Sequence, residues 1–202
     1  VAGGTQTVNI VPLNATNNTG YTNGSTKNSG NINVNNGGGE LRGYLKFPLA
    51  AIPVVSTILS ATLQLTNNGS ASSGATNDVR PLSLDPVTAS ATNIYNGIGP
   101  QSGVGSYSST TWNYTGTISL PLTGTINADI QSGIATGYIS MGLARGGTNT
   151  YIFYGYGGGA NAPVLSVKYS TSSGNLPVTV IPGIPATPGA ITGTTTQCPS
   201  LA

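Results

Sequence analysis

The sequence predicts an all-β protein: a two-sheet antiparallel β-sandwich of the jelly-roll type, followed by an extended proline-rich C-terminal segment. Short stretches rich in β-branched and aromatic residues recur along the chain, and clusters of Gly, Asn and Ser separate them. Helical periodicity is nearly absent. The 202 residues are enough for about one domain. A set of about eight or nine short strands is typical of a sandwich or barrel.

The predicted strands follow one another at short intervals in the first 170 residues. Pro48 is expected to end the third strand, because proline has no backbone N–H to donate to a neighbour. Residues 125–131 are predicted to form one helical turn, with Ile126 and Ile130 four positions apart. The strands are predicted at residues 6–12, 31–34, 41–47, 58–66, 78–84, 119–122, 138–144, 150–156 and 163–169.

Alternation along these strands predicts which side chains face the core, because successive residues of a strand point to opposite faces. Residues 138–144 and 150–156 are predicted to be paired strands joined by the turn at 145–149. The segment 14–31, rich in Asn and Gly, is predicted to be a loop. The side chains predicted to lie inside the sandwich are Leu45, Phe47, Leu63, Leu65, Leu165 and Val167.

The composition excludes several classes of functional site. Charged residues make up 5% of the chain, against about 25% in ordinary soluble domains. The sequence has no histidine and a single cysteine, so it cannot build a Ser-His-Asp triad, a histidine-ligated metal site or a CxxC motif. We therefore expect a protein that is not an enzyme and needs no cofactor. A net charge of +2 is too small for a surface that follows a phosphate backbone, which argues against nucleic acid as a partner.

Low charge here does not indicate disorder, because disordered chains combine low hydrophobicity with high net charge. Hydrophobic residues are 37% of this sequence, and Thr, Ser, Asn and Gly supply an uncharged polar surface. Such a surface favours an exported, extracellular protein. No apolar run reaches the roughly 18 residues of a membrane helix, and no signal peptide is visible. A start at Val1 is compatible with a signal already removed, and a cytoplasmic chain is the alternative.

The sequence changes character after Ser170. Residues 171–188 are rich in Pro and Gly, and four prolines between 177 and 188 favour an extended linker. Residues 178–181 are β-branched and are compatible with an added edge strand. Residues 189–202 are too few to bury a core of their own. The sequence thus divides into a sandwich (1–170), a linker (171–188) and the start of another unit (189–202).

One long segment of the sandwich resembles a known family. Residues 42–53, with the sequence RGYLKFPLAAIP, and residues 58–65, ILSATLQL, resemble the signature of the DNRLRE domain family. The resemblance continues at Thr111-Trp112-Asn113 and ends at residues 163–169, PVLSVKY. Pro48 stands where the family has an acid, and residues 155–160 replace its Arg-Glu pair. The resemblance implies a jelly-roll domain of secreted or surface-attached bacterial proteins, some of which bind acidic polysaccharides such as alginate.

The tail resembles a second family. Residues 185–199, PATPGAITGTTTQCP, are similar to the opening of the PKD-like and Ig-like repeats of very large Bacteroidota surface proteins. This implies that the chain is the head of a longer adhesin that acts in attachment or gliding. Its export would use the type IX secretion system. The implied partners are further Ig-like repeats of the same chain, the outer-membrane machinery for secretion or anchoring, and a surface glycan or other adhesion ligand.

Two sets of residues are candidates for ligand binding. Arg42 and Lys46 lie four apart on one predicted strand and so share a face. They form either a cationic pair for a carboxylate or sulfate or ordinary surface charge, with Glu40 as a partner. The aromatic candidates are either platforms on which sugar rings stack or core residues. These aromatic candidates are Trp112, Tyr114, Tyr151 and Tyr154.

A calcium site is a further possibility to weigh, since aspartate oxygens suit this ion. Asp78, Asp85 and Asp129 are scattered and lack the spacing of a calcium loop, so we expect structural or exposed roles for them and no bound metal. The sequence therefore predicts a non-enzymatic adhesive head domain at the cell surface. The alternative is a carbohydrate-binding module for an acidic polysaccharide.

Overall fold

A computed structural model of the protein describes residues 4–69, 74–112 and 115–171. These residues form twelve strands, two α-helices and a short 3-10 helix, Gly159–Asn161. The helices are α1 (Ala91–Ile98) and α2 (Ile126–Thr136). The strands are β1 (Thr5–Ile10), β2 (Thr19–Thr22), β3 (Lys27–Ser29), β4 (Ile32–Val34), β5 (Arg42–Pro48), β6 (Ser56–Thr66), β7 (Ala75–Pro81), β8 (Ser108–Trp112), β9 (Thr117–Leu122), β10 (Tyr138–Arg145), β11 (Tyr151–Phe153) and β12 (Val164–Thr171).

The strands build two large antiparallel sheets that pack face to face. The four-stranded sheet has the order β1-β12-β6-β9, and the six-stranded sheet has the order β3-β2-β5-β10-β7-β8. A small sheet pairs β11 with β4. The predicted two-sheet antiparallel sandwich is therefore confirmed. The predicted linker and the incomplete repeat, residues 172–202, lie outside the described residues.

The core lies between the two large sheets. All six side chains predicted to face inward are fully buried, and burial of each contributes about 1.5–3 kcal/mol to stability. On β12 the alternation is regular: Leu165, Val167 and Tyr169 are buried, whereas Lys168 is exposed. Pro48 is the last residue of β5, as predicted.

The helices are the main correction to the sequence-based prediction. Residues 125–131 were expected to form a single turn, but α2 has eleven residues. It contacts one strand of each large sheet, β6 and β10, and places Ile126 and Ile130 in the main core. Tertiary packing stabilises this helix where local propensity is weak.

Helix α1 was not predicted. Ser90 caps its N-terminus by accepting a hydrogen bond from the Asn93 N–H at 3.2 Å. Ile94 and Ile98 are buried against the outer face of the six-stranded sheet, where they join Tyr44 in a second apolar cluster. Helix α1 thus covers part of the outer face of the six-stranded sheet, which the sequence analysis did not predict.

Three strands and one pairing also differ from prediction. The predicted loop 14–31 contains β2 and β3, and β8 was not predicted. Gly20 in β2 lies against the Tyr44 side chain, where a Cβ would come within 2.7 Å of the Tyr44 Cζ. A larger residue would clash there, which explains why a glycine occupies the strand despite its low strand propensity. The predicted pairing of 138–144 with 150–156 is wrong, because β10 pairs with β5 and β7 while β11 pairs with β4.

Candidate functional site

Arg42 is part of an internal cluster on the outer side of β5. Its side chain is 6% exposed, and its Nε donates to a Glu40 carboxylate oxygen at 2.7 Å. Nη1 donates to the Tyr95 carbonyl at 2.6 Å, and the guanidinium stacks over the Tyr95 ring at 3.6 Å. The Tyr95 hydroxyl in turn donates to Glu40 at 2.9 Å. These contacts tie β5 to helix α1 and leave little of the guanidinium for a ligand.

Lys46 shares this face of β5 with Arg42, as predicted, but it too has a partner inside the domain. Its ammonium lies 2.8 Å from an Asp85 carboxylate oxygen and 4.2 Å from the centre of the Tyr138 ring. The structure thus brings both predicted cations to one face and neutralises each with its own acid. Glu40 does pair with Arg42, as the alternative to a ligand site allowed, but Arg42 is buried rather than an ordinary surface charge.

Two of the predicted aromatic residues belong to the core. Trp112 and Tyr151 are each 1% exposed, and their rings meet edge to face with centroids 6.3 Å apart. Phe153 completes the group at 5.4 Å from Trp112. The Tyr151 hydroxyl donates to the Trp112 carbonyl at 2.7 Å. In this arrangement the aromatic faces pack on one another, which is the core alternative for these residues.

The remaining aromatic candidates do not form a platform with them. Tyr154 is half-buried, and its backbone N–H donates to the Thr66 carbonyl at 3.0 Å. Tyr114 lies outside the described residues. The structure therefore does not bring the predicted aromatic set together on one open surface.

Most of the charge of the chain is engaged within the domain. The chain has six basic and four acidic residues, and all ten lie in the described part. Nine of them contact other groups of the domain: Lys27, Glu40, Arg42, Lys46, Asp78, Arg80, Asp85, Asp129 and Arg145. Lys168 is exposed on the outer face of the four-stranded sheet. The surface of the described part is therefore sparsely charged: Lys168 is its one exposed charged residue, and six others are half-buried.

The outer face of the four-stranded sheet is a broad example of that surface. Most of its exposed side chains carry hydroxyl or amide groups, with Lys168 and Pro121 among the exceptions, and cross-strand register brings Asn9, Ser166 and Thr62 into one row. The Ser166 hydroxyl donates to the Asn9 side chain. A second row contains Gln64 and Ser119, both exposed. We call this surface, centred on the five residues of these two rows, the hydroxyl-amide face.

A pocket of about 230 Å³ lies between α2, the start of β10 and the segment after β7. Asp129 and Tyr107 meet there, with the Tyr107 hydroxyl donating to Asp129 Oδ2 at 2.8 Å. Burial, followed by this hydrogen bond and the charge of Asp129, raises the pKa of Tyr107 far above its usual range. Sequence reasoning missed this pocket, because its residues come from four separate segments.

The Asp78 carboxylate accepts hydrogen bonds from the loop that follows α1. Ser102 and Gly103 donate their backbone N–H groups to its carboxylate at 3.0 and 2.9 Å, and the Gln101 amide donates at 3.3 Å. Burial alone would raise the pKa of Asp78, but these bonds together with one from Ser109 lower it below its usual value. Each aspartate thus has a separate structural role. The described ranges contain no group of three or more residues able to hold a metal.

Within those same ranges, no helix is both long and apolar enough to span a membrane. No protein-family model matches the chain, and no curated protein matches it in sequence. The resemblance to the DNRLRE and Ig-like families therefore stays a prediction from the residues quoted above.

Proposed function

We propose that this chain is the non-enzymatic head domain of a large bacterial cell-surface adhesin. Its site of action is outside the cell, after export by the type IX secretion system. The observation that carries the proposal is the sparsely charged surface, above all the hydroxyl-amide face. Hydroxyl and amide groups both donate and accept hydrogen bonds, so this face suits an uncharged partner such as a glycan or a solid surface.

The charge distribution favours this function over the binding of an acidic polysaccharide. Arg42 and Lys46 would have to exchange Glu40 and Asp85 for ligand carboxylates or sulfates. Removing one partner from a largely buried ion pair is costly, because the remaining charge stays buried without compensation. Lys168 alone adds one exposed cation to the face, which is too little for a polyanion.

Adhesion can be tested with beads that carry the 202-residue chain, pulled by flow from an uncharged polymer surface and from films of neutral polysaccharide. The test variant combines Gln64→Glu with Asn9→Asp, which changes charge on the hydroxyl-amide face with almost no change of shape. The matched control combines Asn96→Asp with Asn161→Asp, which adds the same charge at exposed positions elsewhere. We expect at least about a tenfold loss of retained beads for the test pair. Equal retention of both pairs would contradict adhesion through this face.

The cellular location needs its own measurement. Brief protease treatment of intact source cells should remove the domain, whereas a cytoplasmic marker protein should survive. Survival of the domain in intact cells, with digestion only after lysis, would contradict a cell-surface role.

A further inference from the structure

We propose that the pocket between α2 and β10 binds a single neutral sugar ring, the end or a branch of a glycan. This inference deepens the proposed adhesive function and rests on it for the setting in which a glycan is met. The pocket holds about 230 Å³, below the roughly 300–1,000 Å³ of sites for drug-sized ligands. A ligand of one ring is the size that fits.

The polar anchor of the pocket is the Asp129 carboxylate. Its Oδ2 accepts hydrogen bonds from the Tyr107 hydroxyl at 2.8 Å and the Thr125 hydroxyl at 2.6 Å. Its Oδ1 accepts no hydrogen bond from the described part of the chain. The carboxylate is thus fixed in orientation and keeps acceptor capacity, and bonds from sugar hydroxyls to a charged acceptor are the stronger kind.

A second, independent observation is the state of Ser140. This residue lines the same pocket, is 3% exposed, and its buried Oγ has no hydrogen-bond partner among the described residues. A buried hydroxyl without a partner is destabilising, and most such groups in native proteins find one. A hydroxyl of a bound ring would supply the missing partner.

The other lining residues suit a sugar as well. Ser132 and Ser83 add hydroxyl groups, while Leu82 and the Tyr138 ring add apolar surface for the C–H groups of the ring. The Lys46 ammonium lies 4.2 Å from the Tyr138 ring centre.

The charges around the pocket disfavour an anionic ligand. The Asp129 carboxylate opposes an anion, and the nearby Lys46 ammonium is already paired with Asp85. A neutral polyol meets no such repulsion. It also exploits donors and acceptors together, since each hydroxyl of the ring can act as both.

The test is a titration of the isotope-labelled 202-residue chain with glucose, galactose, mannose and N-acetylglucosamine, followed by backbone amide resonances. We expect at least one of these sugars to give saturable shifts at Ser132 and Ser140, with a Kd on the order of 1 mM. Ser140→Ala should weaken that binding about fivefold, the effect of one hydrogen bond of about 1 kcal/mol.

A blocking variant makes the test sharper. Ser132 is exposed on α2 and lines the pocket, so Ser132→Leu fills the pocket without entering the core, and we expect at least about tenfold weaker binding. Ala135→Leu, at an exposed position of the same helix, is the matched control and should bind as the original chain does. Absence of saturable shifts with all four sugars, or unchanged binding by Ser132→Leu, would overturn the proposal.

The same variants separate this inference from the adhesive function. If Ser132→Leu adheres normally and no sugar binds to the original chain, the pocket proposal fails while adhesion through the hydroxyl-amide face stands. If sugars bind as described and beads do not adhere, the pocket stands and the adhesive function fails.

Discussion

The guanidinium of Arg42 lies over the ring of Tyr95, with its Cζ 3.6 Å from the ring centre, and the same group donates to the Tyr95 carbonyl. One arginine thus holds both the ring and the backbone of α1, while Glu40 balances its charge at 2.7 Å. Sequence reasoning offers Arg42 as a residue that binds polysaccharide. In the structure it instead joins strand β5 to helix α1.

Arg42→Ala should therefore lower the free energy of unfolding by about 3 kcal/mol, because Glu40 is left partly buried without its partner. Arg42→Lys should cost less, about 1–2 kcal/mol, since the charge remains but the planar fork is lost. Urea denaturation measures both. The control Lys168→Ala, at an exposed position, should stay within about 0.5 kcal/mol; a similar loss in all three variants would contradict this assignment.

Asp78 makes stability depend on pH in a definite direction. Its pKa in the folded domain is lowered, so the folded form binds a proton less readily than the unfolded chain. Stability from this group is present above the unfolded value of about 3.9 and is lost as the pH falls through the lower folded pKa. Asp78→Asn should be less stable than the original chain at pH 7, and the difference should shrink near pH 3. Denaturant titrations at the two pH values test this; a constant difference would count against it.

Gly142 in β10 is required by the close approach of α1. A Cβ at this position would lie 2.8 Å from Cγ2 of Ile98, and overpacking of this kind costs about 1–3 kcal/mol. Gly142→Ala should therefore lower the melting temperature. Gly38→Ala is the control, because a Cβ there meets no atom within 4 Å. Its melting temperature should be unchanged or slightly higher.

Trp112 is the one tryptophan of the chain, so its fluorescence reports on the aromatic cluster without any label. Because it is 1% exposed, its emission should be blue-shifted and resistant to quenching by acrylamide until the domain unfolds. Saturating amounts of the sugars named above should leave this emission unchanged, since the pocket lies elsewhere. Efficient quenching in the folded state would instead show that Trp112 is accessible to a ligand.

The strands that the sequence predicted best are those in which polar and apolar residues alternate and the apolar ones are buried. β6 and β12 pair along their length and alternate polar with apolar residues, so their inner faces could be assigned without a structure. β10 was harder to place, because seven of its eight residues are buried. A strand packed on both faces has no alternation to reveal its neighbours.

The helices and the pocket depend on contacts that no local pattern encodes. Helix α1 shows only Ile94 and Ile98 at helical spacing, and its stability comes from Tyr44 and the sheet beneath it. Asp129 and Tyr107 are 22 residues apart, and neither segment has a sequence pattern that predicts their hydrogen bond. The pairing of Arg42 with Glu40 was accessible from sequence because the two lie only two positions apart.

The low charge of the chain also has a kinetic consequence for the proposed adhesive function. With a net charge of +2 and so little field to steer a partner, encounter would proceed near the unassisted rate of about 10⁵–10⁶ M⁻¹s⁻¹, and ionic strength would change that rate little. Firm attachment would then have to come from long residence times and from many copies engaging at once. An adhesin of the proposed kind would therefore bind about equally well in fresh water and in brine.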